Sequence, residues 1–245
     1  MTTDCTIVTV ACANHQTMAR TFAMVKELKQ TEKWLVLDNN YSAKSSVWLA
    51  RNADVFGYKL LQTPEGKNIG LHRGFNLCLG HVDTSHVCGV DPDMFLCSRH
   101  FDAALLRHAT DTRNVVVQAF MTYPLTEMRN PRFERSDVGW LIVPDHPVIM
   151  GMIMWQVDWL RAVGGLQEPT DFYGHLECAM WAHLNQKDKR WVMALNAVEG
   201  WKDLHPSLED AWFREWKFAH AHKGDKRTID QFKREWRPEY ESQTF

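Results

Sequence analysis

Hydrophobic and polar positions alternate between two periods along this chain. Thr6–Ala11 (TIVTVA) is a β-branched run suited to a buried strand. It gives way to a polar loop, Cys12-Ala13-Asn14-His15. Over Thr17–Lys29 the apolar residues fall at Met18, Phe22, Val25 and Leu28, which is helical spacing. Trp34–Leu37 predicts a second strand, closed by Asp38-Asn39-Asn40, and Tyr58–Leu61 a third. A helix is predicted over Leu71–Leu79, after Pro64-Glu65-Gly66-Lys67-Asn68-Ile69-Gly70. A short apolar strand, Val87–Val90, then stops at Asp91-Pro92-Asp93. Phe101–His108 reads as helix and Asn114–Phe120 as strand.

The second half is less regular. Thr122–Asp137 is rich in Pro, Arg, Asn and Glu and reads as a long loop or flap. Strands are predicted at Gly139–Val143, Val148–Ile153 and Trp191–Asn196. Gln156–Val163 reads as a short helix closed by Gly164-Gly165, and Leu176–Asn185 as another helix. From Ser207 the tail has helical spacing, with Trp212, Phe213, Trp216, Phe218, Phe232 and Trp236. Strands alternating with helices imply an α/β fold with parallel pairing and a sheet covered on both faces. In such sheets ligands bind beyond the carboxyl ends of the strands, where Asn14, Asp38 and Asp91 fall.

Composition narrows the class. The chain has 245 residues, 45% hydrophobic and 24% charged, enough for a sizeable packed core. A net charge of −2 gives no whole-chain attraction to nucleic acid or membrane. Six cysteines show no CxxC pair, against a zinc ribbon or a dithiol redox site, and several sit in apolar runs as reduced thiols do. The amino terminus lacks the pattern of a signal peptide, and no run of 18 apolar residues exists. These features predict a soluble, cytoplasmic protein with no membrane span. The tail differs from the rest: Phe213–Arg237 holds eight Lys or Arg against four Asp or Glu, interleaved with aromatics. That pattern suits packing of an amphipathic helix, an anionic membrane surface, or a phosphate backbone with stacked bases.

The candidate chemistry is acidic. The loop after the first strand has no glycine, which removes the dinucleotide fingerprint, and Gly66-Lys67 lacks the upstream glycine of a P-loop. No GxSxG elbow and no HExxH are present. Asp91 and Asp93, two carboxylates held stiff by Pro92, suit a divalent cation bound through oxygen. The same tripeptide is also ordinary turn chemistry.

Four blocks in order resemble the GT-A fold glycosyltransferases, specifically family 2. They are TIVTVACANHQ, WLVLDNNYS, NIGLHRGFN (Asn68–Asn76) and the Asp-x-Asp at Asp91–Asp93. The third is similar to the family's Asn-x-Gly-x-x-x-Ala-x-Asn; in the first, Asn14 matches while Ala11 and Cys12 depart from Pro-Thr. A fifth, looser block, Gly164–Trp181, resembles the family's Gly-Gly-Phe and Gly-x-Glu-Asp segment, with Leu176 in place of its first acid.

The resemblance implies a GT-A (nucleotide-diphospho-sugar transferase) fold over residues 1–206. Its central sheet is mostly parallel and flanked by helices, and residues 207–245 form a helical C-terminal extension packed on the same domain. It implies a metal-dependent, inverting glycosyltransferase that moves a sugar from a nucleotide-sugar donor to an acceptor hydroxyl. Cys12, Asn14, Asp38, Asn68, Arg73, Asn76 and Asp91 would line the donor site. Asp38 would meet the base or ribose and Arg73 the diphosphate; Asn76 could instead cap local backbone. Asp91, Asp93 and His205 would hold Mn²⁺ or Mg²⁺. Glu177 would be the general base, with Asp171 in reserve. Acceptors consistent with the resemblance are a glycan, a lipopolysaccharide precursor, or a hydroxymethylated base in DNA, the last prompted by the tail. The alternatives are a sugar nucleotidyltransferase, against which stands the missing glycine- and arginine-rich loop, and a catalytically inactive GT-A binding module.

Overall fold

The computed structural model describes residues 4–121, 131–144, 151–166, 184 and 189–200. Its first half alternates strand and helix: β1 (Cys5–Ala11), α1 (His15–Leu28), β2 (Trp34–Asp38), α2 (Ala43–Phe56), β3 (Lys59–Gln62), α3 (Leu71–Leu79) and β4 (His86–Val90). Then come β5 (Phe95–Leu96), α4 (Phe101–Ala109), β6 (Val116–Met121), the hairpin β7 (Arg132–Ser136) and β8 (Gly139–Val143), β9 (Met152–Gln156), α5 (Val157–Ala162) and β10 (Trp191–Gly200).

One sheet runs through the described residues in the order β3-β2-β1-β4-β9-β6-β10-β8-β7, with β5 pairing the end of β10. From β3 to β4 every pairing is parallel. Beyond β4 only β6 and β10 pair parallel; β9, β8, β7 and β5 run antiparallel to their neighbours. The parallel pairing expected for most of the sheet therefore holds for the first half and for one later pair. The reason is in the connections: β7 and β8 are joined by a two-residue turn, which permits only antiparallel pairing, whereas β1 to β4 are joined through helices.

The central strands of the sheet are buried on both faces because their residues alternate between two cores. Ile7, Val36, Cys88, Met154 and Val192 face α1, α2 and α4. Val8, Leu37, Val87, Trp155 and Trp191 face α3 and α5. On the first face Phe22, Trp34 and Tyr58 meet edge-on with centroids 5.0–5.4 Å apart. The Trp34 indole Nε1 donates to Thr9 Oγ1 at 3.2 Å, so its polar edge is satisfied inside the core.

Four expectations change. Helix α2, absent from the hydrophobic pattern, buries only Ser45 and Leu49, so it shows no long apolar stripe. Ser42 caps its start and Gly57, at φ 74°, closes it. The loop expected over 122–137 contains β7, whose polar sequence suits an edge strand and whose ladder partner β8 supplies its order. The strand expected at 148–153 is β9, reaching Gln156, because the apolar run there is too continuous to mark its ends. β10 extends to Gly200 through a bulge at residues 195–197. The segment 122–130, most of the helix expected over 176–185, and the tail 207–245 lie outside the described residues. No helix among the described residues is long and apolar enough to cross a membrane.

Candidate functional site

The chain leaves β1 to build β2 and β3 on one side, then returns to place β4 on the other side of β1. This reversal opens a crevice at the carboxyl ends of β1 and β4, where parallel sheets bind ligands. Cys12 follows β1, Asp38 ends β2, and Asp91 and Asp93 follow β4, so all four stand along the same edge.

Amide side chains tie this edge together. Asn39, buried to 1% exposure, accepts from the Ile69 backbone N–H at 3.0 Å and donates to the Gly70 carbonyl at 3.3 Å. Asn68 donates to Cys12 Sγ at 3.3 Å and accepts from the Gly70 N–H at 2.9 Å. Asn40 donates through Nδ2 to the Gly66 carbonyl, with its own backbone at φ 52°, a left-handed conformation asparagine tolerates. Asp38 is 7% exposed, and its Oδ1 accepts from the Asn40 N–H at 2.9 Å. The loops after β1 and β2 and the loop before α3 thus form one hydrogen-bonded rim. Asn39 and Asn40 went unassigned in the sequence because Asp-Asn-Asn reads there as turn chemistry; their partners lie 26 to 31 residues away.

Helix α3 approaches the sheet closely. A Cβ on Gly74 would lie 2.8 Å from Val10 Cγ1 and 3.0 Å from Leu37 Cδ2, so only glycine fits without a shift. That approach brings the exposed Arg73 to the first turn, beside the rim. His72 on the same turn is buried, and desolvation lowers its pKa to about 4. Asn14 is used locally: its Oδ1 caps α1 by accepting from the Thr17 N–H at 2.9 Å. Asn76 lies further along α3 and is turned to the chain after α5. It accepts from the Leu166 N–H at 2.8 Å and donates to the Leu166 carbonyl at 2.7 Å.

Asp91 and Asp93 are half-buried at the crevice, with Pro92 buried between them. The Asp91 N–H donates to the Gly151 carbonyl at 3.0 Å, anchoring the turn to the residue preceding β9. Beyond it, β5 pairs with the end of β10, Phe95 opposite Gly200. The described residues hold no group of three or more His, Cys, Asp or Glu suited to one ion. Two carboxylates nevertheless match the way Mg²⁺ or Mn²⁺ is held when substrate phosphates and water complete the shell, so the donor set fits such an ion. Asp171, Glu177 and His205 lie outside the described residues.

The architecture is the GT-A fold. No family model and no curated protein matches the sequence; the likeness to known proteins is one of fold. The chain is similar to the mannosyltransferase PcManGT from Pyrobaculum calidifontis, solved with GDP-Man and Mn²⁺: TM-score 0.69, 14% identity, covering 89% of this chain and 61% of that one. It is similar to GalNAc-T7 solved with UDP, GalNAc and Mn²⁺ (TM-score 0.62, 11% identity, 80% and 43% covered). It is also similar to residues 1–349 of TarS from S. aureus (TM-score 0.56, 10% identity, 83% and 58% covered). The match thus spans about three-fifths or less of each of these proteins.

Proposed function

We propose that this chain is a metal-dependent, inverting glycosyltransferase that uses a nucleotide-sugar donor. The observation that carries the reading is Asp91-Pro92-Asp93 at the carboxyl end of β4, beside the switch point of a GT-A sheet. The neighbours solved with GDP-Man or UDP and with Mn²⁺ support it.

In this reading the rim holds the nucleoside. Asp38 accepts hydrogen bonds from the base or ribose through the oxygen not used by Asn40, and Cys12 and Asn68 form the adjacent wall. Arg73 meets the diphosphate with its planar fork. Asp93, with Asp91, holds the divalent cation, which when bound neutralises the charge of the departing nucleoside diphosphate. His205 is its third protein ligand. The β5–β10 pairing supports this: Gly200 lies opposite Phe95, two residues past Asp93, and His205 follows five residues later. Five residues span at most about 17 Å. Glu177 takes the proton of the acceptor hydroxyl as its oxygen attacks the anomeric carbon from the side opposite the leaving group, with Asp171 in reserve. One base and one in-line displacement invert the configuration.

The acceptor is proposed to be a glycan hydroxyl. The basic, aromatic tail that prompted a modified-DNA acceptor lies outside the described residues, so the described structure adds no support for it.

The test is thermal stabilisation by a panel of nucleoside diphosphates and nucleotide sugars, with and without Mn²⁺. One nucleotide should raise the midpoint in a metal-dependent way. Asp93→Ala should abolish that effect and lower turnover by about 10³-fold or more, several kcal/mol of lost stabilisation. No shift with any nucleotide would replace this reading with that of a binding module.

A further inference from the structure

The Asp91-Pro92-Asp93 turn is tied at both ends. Upstream, the Asp91 N–H donates to the Gly151 carbonyl at 3.0 Å. Downstream, the Thr21 hydroxyl donates to the Met94 carbonyl at 2.9 Å, across 73 residues. Thr21 lies in the second turn of α1 and is 1% exposed. A threonine inside a helix can turn its hydroxyl back to a carbonyl of the preceding turn. Here the hydroxyl bonds a different segment, and one buried this deeply costs stability unless it is bonded. Met94 is itself buried, in the core that also holds Met18, Phe22 and Val25 of α1. Pro92 is buried too, whereas both aspartates are half-buried. The turn is thus gripped by its apolar residues and by the carbonyl that follows it, and its two carboxylates stand at the crevice.

We infer that Thr21 is a positioning residue for the aspartate pair, through which α1 sets where the acidic turn stands relative to the donor rim. This rests on the glycosyltransferase reading above. One helix carries both ends of the relation. Its start belongs to the rim: Asn14 caps it two residues past Cys12, and Ser45 Oγ of α2 donates to the Ala13 carbonyl at 3.1 Å. Its second turn holds Met94, the residue directly after Asp93. Losing the Thr21 bond frees the peptide that follows the second aspartate, while the Gly151 bond still holds the first. Two carboxylates already held at one separation bind a small, hard cation better than a pair that must be ordered on binding. Valine at 21 keeps threonine's shape and removes the donor. Serine keeps the donor and loses only a methyl group.

The experiment measures Mn²⁺ binding to the full chain by electron paramagnetic resonance of the unbound ion, with GDP, UDP, CDP or dTDP present in turn. It needs no turnover. Thr21→Val should weaken Mn²⁺ binding about five- to tenfold, the equivalent of one lost hydrogen bond. Thr21→Ser should restore it to within about twofold of the parent. The control is Thr6→Val, which removes an equally buried hydroxyl, bonded to Thr84 Oγ1 at 2.9 Å, from the far end of β1. It should leave Mn²⁺ binding at the parent value. Parent-like binding in Thr21→Val would overturn the proposal. A loss that Thr21→Ser does not repair, or an equal loss in Thr6→Val, would assign the effect to packing and overturn it as well. If Thr21→Val does not fold, Thr21→Ala, which leaves room for water at the Met94 carbonyl, decides by the same measurement. A parent that binds no Mn²⁺ with any of the four nucleotides refutes the glycosyltransferase reading and the positioning role with it. Binding that is lost in Asp93→Ala and kept in Thr21→Val refutes the positioning role alone.

Discussion

The two halves of the sheet hold themselves in place differently. From β3 to β4 the strands are parallel and their connecting loops are locked by amide side chains at the carboxyl edge. From β9 to β7 the strands are largely antiparallel, and much of the polar stitching sits at the opposite edge. There Arg190 bonds Asn114 at 2.5 Å, Glu134 at 2.6 Å and Asp111 at 3.3 Å. The first half is therefore tied together at the edge where the proposed donor site lies; the second is pinned at the opposite edge. Under the proposed function, the tied edge would supply the preorganised walls that a nucleotide site needs.

The largest expected effect tests whether the halves are one folding unit. Trp34→Ala removes the centre of the Phe22–Trp34–Tyr58 cluster and should cost about 3–5 kcal/mol in urea denaturation. A single transition with unchanged slope means the halves unfold together; two transitions would separate them.

A smaller effect distinguishes the halves by pH. His72, in the first half, has its pKa lowered to about 4 by burial, so the unfolded chain binds a proton first. Stability from this group is complete above an unfolded pKa near ~6.5 and is lost as pH falls towards 4, by up to about 3 kcal/mol. His72→Gln should flatten that limb of a stability–pH curve; an unchanged limb would mean that another group carries it.

The smallest belongs to the other half. The Arg113 hydrogen bond, with help from Arg190, lowers the pKa of Asp111 to about 2. A depressed carboxylate stabilises above its unfolded value and loses that contribution as pH falls from about 4 to 2. Asp111 is about one-third exposed, so after solvent screening the loss should stay below about 1 kcal/mol. Arg113→Ala should remove it, leaving the His72 limb intact; a change in both limbs would mean that the halves are electrostatically coupled.

The same contrast governs what the sequence revealed. Strands β1, β2 and β4 and helix α3 were legible because strands buried on both faces give continuous apolar runs, and α3 repeats apolar residues at helical spacing. Asp38, Asp91 and Asp93 were legible as strand-end acids. Helix α2 was hidden because it buries so little, and β7 because Arg132–Ser136 is polar and depends on its partner strand. Asn39 and the Asn76–Leu166 contact were hidden for another reason: their partners are distant in sequence, and no local spacing encodes them.

The pairing of β5 with β10 has a consequence for the order of assembly. Leu96 meets Glu199 across 103 residues, and β10 itself lies between β6 and β8. Such distant closures are entropically costly and tend to come late in folding. During synthesis the amide-bonded rim can form as soon as α3 has emerged. Among the described residues, the strand beside the aspartate turn pairs only with β10, which is complete when 200 residues exist. A chain stopped short of that point would keep the rim and lack the flank of its acidic turn, so the two walls of the proposed site would be completed at different times.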